Sequence, residues 1–220
     1  MMMHYKTLFA TRSRIVFFTF WFLFLLWLMY VGLFLRESAD FVIETAGMTI
    51  PILFLWIIYI SIWTSGDLQP GICSQFILRS SNRFHFVRDR FLAVSCLAFP
   101  FSRVPIVLAS VVSGDFSFLA IRMLLGIYVT LLVYGFVPCF LSFVFKNSFL
   151  AWLSTFFVFL GLSPLVSKYV NPKLGEVLSA DVYLPDILTG YFGLQSIITC
   201  LFIIVASLFG SFAIFRRSWI

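Results

Sequence analysis

No charged residue falls between Arg14 and Arg36, and the run they bracket, IVFFTFWFLFLLWLMYVGLFL, is almost wholly apolar. A helix rising 1.5 Å per residue needs about 20 such residues to cross a bilayer core. Only lipid or a large protein interior can cover a run of this length. The rest of the chain excludes the second option. Of its 220 residues 62% are hydrophobic and 11% charged, against roughly 45–50% and 25% in soluble domains. So little polar surface cannot coat a soluble fold of this size. The expected solvent is lipid and the expected location a cell membrane, bacterial inner or plasma.

Five further runs match the first. The predicted spans lie near Ile15–Leu35, Phe41–Trp63, Phe91–Val112, Phe116–Phe145, Phe149–Val166 and Tyr191–Phe215. The expected fold is all-α, with six transmembrane helices forming one membrane domain over residues 1–220. Lys6, Arg12 and Arg14 before the first run suggest a signal peptide. However, its apolar core exceeds the usual 7–15 residues and RESAD offers no small-x-small cleavage site, so a retained span is expected.

The net charge is +6. In a membrane chain this reads as the cytoplasmic excess of Lys and Arg rather than a nucleic-acid surface. Lys6, Arg12, Arg14, Arg79, Arg83, Arg88, Arg90, Lys146, Arg216 and Arg217 all fall on one side of the predicted spans. Arg36, Lys168 and Lys173 fall on the other, with Glu37, Asp40, Asp115, Glu176, Asp181 and Asp186. Both termini are therefore expected in the cytoplasm. Outside, residues 167–190 carry Pro172, Gly175, Pro185 and Gly190 among recurring apolar residues, which predicts short amphipathic pieces at the outer interface.

Catalytic signatures are sparse. His4 and His85 both fall outside the spans, so Ser113, beside Gly114, has no base within reach. Glu44 is the one acid inside a predicted span, too little for an intramembrane metal site. Cys73, Cys96, Cys139 and Cys200 form no CxxC pair, and no phosphate-binding G-x-x-x-x-G-K-[ST] loop is present. The chain is not expected to be an enzyme or to hold a cofactor itself.

The most informative stretch is GICSQFILRSSNRFHFVRDRF, Gly71 to Phe91, on the cytoplasmic side between the second and third spans. As a helix over Gly71–Arg83, it stacks Ile72 and Phe76 with Ile77 beside them, and sets Arg79 and Arg83 at i,i+4 on one face. That stripe is too short to span and suits a surface helix, lying on anionic lipid or docked in a partner's groove. Phe84, Phe86, Val87 and Phe91 are read as an elbow into the third span.

Ile77, Leu78, Arg79, Ser80, Ser81, Asn82 and Arg83 resemble, in order, the coupling helix of type-2 ABC exporter permeases. That helix follows an apolar–apolar–Arg–x–x–Ser/Asn–Arg pattern. The closing FAIFRRSWI and the outer loop before the last span are similar to the same family's. The resemblance implies a permease paired with a second permease subunit, identical or similar, and seated on ABC ATPase subunits that carry the ATP and magnesium. It implies ATPase docking through Ile72, Phe76, Ile77, Arg79 and Arg83, and export of a lipid-like, drug-like or peptide substrate. The competing expectation is a non-transporting six-span scaffold or assembly protein that recruits a cytoplasmic partner through residues 71–91. A secondary transporter is a weaker rival, because inverted repeats and midplane ionisable residues are its signature.

Glu44, Arg103 and Arg122 lie within predicted spans, where a bare charge costs about 2.5–3.5 kcal/mol or more. Arg103, between Pro100 and Pro105, has two readings. It bonds the carbonyls freed by the prolines, or it lines a pathway as the ion-pair partner of Glu44. Arg122 is close enough to the outer edge to snorkel.

Overall fold

The computed structural model describes residues 14–27, 30, 50–69, 83–114, 118–169, 172, 186–188 and 190–218. Helix α1 spans Arg14–Trp27, α2 Ile50–Asp67, α3 Arg83–Ser113 and α4 Phe118–Phe145. Helix α5, Ser148–Phe156, runs through a π-helical stretch, Phe157–Gly161, into α6, Leu162–Tyr169. Helix α7 covers Leu194–Ser218. Residues 186–188 add a single turn, and no strand occurs among the described residues. The all-α expectation holds. Among the described residues, three helices are long and apolar enough to cross a membrane: Phe84–Val111 of α3, all of α4, and Leu194–Arg216 of α7. Helix α1, the stretch Ile52–Asp67 and the stretch Ser148–Gly161 are shorter apolar helices.

One boundary differs from the sequence reading in kind. The elbow expected at Phe84–Arg90 does not exist: α3 begins at Arg83 and runs unbroken past Phe91. Its first turns are held by packing. Phe86 and Val87 are buried, Phe86 stacks on Phe215 at 5.4 Å, and Phe84 stacks on Phe212 at 4.2 Å.

Helix α4 is the axis, packed against α2, α3, α5 and α7. Two glycines let neighbours come close. A Cβ at Gly135 would sit 2.6 Å from Val94 Cγ1 and 3.0 Å from Trp56 Nε1. With no side chain there, the fully buried Trp56 indole reaches α4 and donates to the Leu131 carbonyl at 2.9 Å. A Cβ at Gly126 would overlap the carbonyl of Ile187, so the single turn at 186–188 is seated directly on α4.

The α4–α5 link is two residues long. Lys146 adopts a left-handed φ of 53° and its N–H bonds the Ser142 carbonyl at 2.8 Å, a left-handed C-terminal cap. Asn147 then caps α5, its side-chain oxygen accepting from Phe149 N at 2.9 Å and Leu150 N at 3.4 Å. Further on, the π-helical stretch between α5 and α6 widens the backbone.

Helix α7 is inverted relative to a soluble amphipathic helix. Apart from Phe215 near its end, its buried positions are small or polar: Ser196, Thr199, Cys200, Ser207 and Ser211. Its large exposed positions are apolar, Leu194, Ile198, Leu201, Phe202, Val205 and Phe209 among them. Water would reverse this arrangement. Apolar solvent makes it favourable, because small residues permit close helix approach while large ones meet lipid chains at no cost.

Candidate functional site

Ring contacts fix how the helices run. The start of α3 meets the end of α4 through Phe86 and Phe143, and the end of α7 through Phe86 and Phe215. The start of α1 meets the later half of α2, where Phe17 stacks on Tyr59 at 4.6 Å. The last residue of α2, Asp67, pairs with Arg90 in the second turn of α3. One end of the bundle therefore gathers the start of α1, the end of α2, the start of α3 and the ends of α4 and α7. It carries Arg14, Arg83, Arg88, Arg90, Lys146 and Arg216, with Asp67 and Asp89 as acids. The opposite end, where Gly190 closes on Arg122, holds Arg122, Lys168 and Asp186 among the described residues.

At the basic end Arg90 is the best-enclosed of the cations whose side chains are described. Its side chain is 12% exposed beside Asp67, and its guanidinium lies 5.2 Å from the ring centres of both Trp63 and Phe86. An arginine held between two rings and a carboxylate is fixed in direction as well as position. Asp67 lies beyond the apolar stretch that ends at Trp63. Burial raises its carboxyl above the ordinary range, while Arg90 and then Arg14 pull it back. Exposed Arg88 pairs with Asp89 at 2.9 Å, a contact worth little in water.

Beneath the ion pair, α2 turns Ser61, Thr64 and Ser65 inward, all three buried. The hydroxyl oxygens of Ser61 and Ser65, together with Gln69 Oε1, are buried without a hydrogen-bond partner among the described residues, while Asp67 Oδ2 has Arg90 as its partner. Thr64 faces the Cys139 thiol of α4, which also lies near Arg90.

Of the residues singled out from sequence, Ile72, Phe76, Ile77 and Arg79 lie outside the described residues. Arg83 opens α3. The structure thus describes the two flanks of residues 70–82 and brings them together through Asp67 and Arg90. Glu44 also lies outside the described residues. Arg103 sits on the exposed side of α3 with its guanidinium 3.5 Å from the centre of the Phe99 ring. Arg122 is exposed and 5.1 Å from the Phe118 ring centre. No group of three or more His, Cys, Asp or Glu suited to a metal occurs among the described residues.

Sequence reading passed over Asp67 and the three hydroxyls. The available signal was the spacing of Ser61, Thr64 and Ser65, which places them on one face of a helix that is otherwise aliphatic and aromatic. Arg90 was grouped with the anchoring charges because pairing across two helices leaves no trace in local spacing.

No protein-family model, no curated protein and no solved structure matches the chain. What the fold and the basic end define is a class, a helical protein with helices long and apolar enough to cross a membrane and one cationic end.

Proposed function

We propose that the chain is the membrane-spanning permease subunit of an ABC-type exporter. In this reading it has six spans, both termini and the basic end in the cytoplasm, and residues 71–83 as the helix that docks a separate ATPase subunit. One observation carries the reading. The segment bearing the apolar–apolar–Arg–x–x–Ser/Asn–Arg pattern is flanked by α2 and α3, whose adjoining ends are tied by Asp67 and Arg90 at the basic end. A segment anchored at both ends to packed helices moves those helices when a partner moves it.

The six-span count draws support from the helices themselves. Three cross by length alone, and α1, α2 and the α5–α6 pair occupy the other apolar runs. Helix α7, with large apolar residues outward and small ones inward, supports lipid as the solvent. The second permease subunit and the apolar or peptide-like cargo rest on the resemblance alone.

Purification in mild detergent tests the proposal. A P-loop ATPase should co-purify with the intact chain and be lost when Arg79 and Arg83 are both changed to Glu, or Phe76 and Ile77 to Ser. A truncated apolar anchor at an interface costs about 2 kcal/mol or more. Retention of the ATPase and of transport in a normally inserted Phe76→Ser/Ile77→Ser protein would refute the docking role. Recovery of a partner without a P-loop would instead favour the scaffold.

A further inference from the structure

Hydroxyls buried in helices normally bond the carbonyl three or four residues back, and this chain shows the habit repeatedly. Ser95 bonds Phe91 O at 2.9 Å, Thr130 Gly126 O at 2.9 Å, Ser142 Pro138 O at 2.7 Å, Thr155 Ala151 O at 2.7 Å and Ser211 Ser207 O at 2.8 Å. Ser61 and Ser65 break it together, one turn apart on one face of α2, while the Thr64 hydroxyl turns to the Cys139 thiol. Every partnerless buried polar side-chain atom among the described residues lies between Ser61 and Gln69, and every one is an oxygen. The hydroxyls run about 6 Å along the axis of α2, from Ser61 at 0% exposure to Ser65, and the part-exposed Gln69 lies past the end of the helix, at the basic end. Oxygens of this kind need donors. The Asp67–Arg90 pair and the rings of Trp63 and Phe86 stand between them and the cytoplasmic face of the proposed topology.

We infer that Ser61, Thr64, Ser65 and Gln69 line a hydration site within the α2–α3–α4 junction, filled from the basic end and closed by the Asp67–Arg90 pair. Its ligand is water. Hydroxyl and amide oxygens spaced along one face supply the two to four polar contacts that a buried water requires. Asp67 and Arg90 carry opposite charges, so the site is neutral and selects no ion. A junction solvated this way can shear, because waters re-form their bonds where dry side chains would lock. This makes the α2–α3 ends a wet joint, whichever partner the basic end engages.

The native Cys139 reports on the joint, since it faces both Thr64 and Arg90. In a chain whose other three cysteines are replaced, its rate of reaction with aminoethyl methanethiosulfonate should rise at least tenfold on Arg90→Ala. The rate should return toward the parent's in the charge-swapped Asp67→Arg/Arg90→Asp protein. An unchanged rate in a folded, monodisperse Arg90→Ala protein overturns the closure. Thermal melting gives a second reading that leaves the ion pair intact. Ser65→Ala should lower the melting temperature if the hydroxyl is bonded to water, and raise it if the hydroxyl is buried dry. A rise overturns the hydration site, and it decides alone if Arg90→Ala fails to fold.

Discussion

Helices α4 and α7 are both long, uncharged over most of their length and rich in Phe, Leu, Ile and Val, yet they occupy opposite environments. Of the most apolar window of α4, 67% is buried, against 22% for α7. Hydropathy cannot separate them because lipid and protein interior are equally apolar. Small residues do. In α4, Gly126 and Gly135 mark the points where a carbonyl and an indole come in. In α7, Ser196, Thr199, Cys200, Ser207 and Ser211 mark one packed stripe, flanked by part-buried Ile203, Ile204, Leu208 and Phe212 and followed by buried Phe215. Ile198, Leu201, Phe202, Val205 and Phe209 face away. Position within the bundle is thus written in side-chain size, not in polarity.

Substitutions can break that contrast in graded fashion. The largest effect is expected at Gly126. Leu there would force its Cβ into the Ile187 carbonyl, beyond the about 1–3 kcal/mol of ordinary overpacking. Gel filtration in detergent should show the folded peak lost or strongly reduced. Next comes Trp56→Ala, which removes a fully buried indole and its bond to Leu131. A water-soluble core would lose about 3–5 kcal/mol. The loss here should fall somewhat below that, since the alternative environment is lipid rather than water. Trp56→Phe, keeping most of the volume, should cost about 1 kcal/mol by thermal melting.

Smaller still is Lys146→Gly. The left-handed φ of 53° is unfavourable for a residue with a Cβ, and relieving it should stabilise by about 1 kcal/mol. At the bottom of the scale is Phe202→Ala on the outward face of α7, where the side chain is 66% exposed. Its melting temperature should move by no more than a degree or two. A drop as large as that of Trp56→Ala would mean that this face is packed in the native assembly, as a permease pair would require.

Much of the fold was legible because apolar runs and charges are one-dimensional signals. The predicted fourth span ends at Phe145, where α4 ends. Lys146 was placed in the following link, and Ile187 and Leu188 were read among the apolar residues of the outer loop. The third span was set eight residues late because Arg83, Arg88, Asp89 and Arg90 resemble a loop by composition. The reason they are helical lies in other helices: Phe212, Phe215 and Asp67 hold that turn in place. The Asp67–Arg90 joint was illegible for the same reason, since its partners are 23 positions apart in numbering and meet only when α2 and α3 pack. The partnerless hydroxyls were visible as residues but not as exceptions. Only the bonds made by Ser95, Thr130, Ser142, Thr155 and Ser211 reveal the habit that they break.

The central claim is that the bundle crosses a membrane with its basic end in the cytoplasm. Sidedness of labelling tests it most directly, using an impermeant maleimide and three single-cysteine proteins: native Cys73, Arg216→Cys at the end of α7, and Tyr191→Cys before its start. The first two should label in inside-out vesicles and resist in right-side-out ones, with Tyr191→Cys doing the reverse. Labelling of Arg216→Cys and Tyr191→Cys from the same side, or of Cys73 from outside, would contradict the claim.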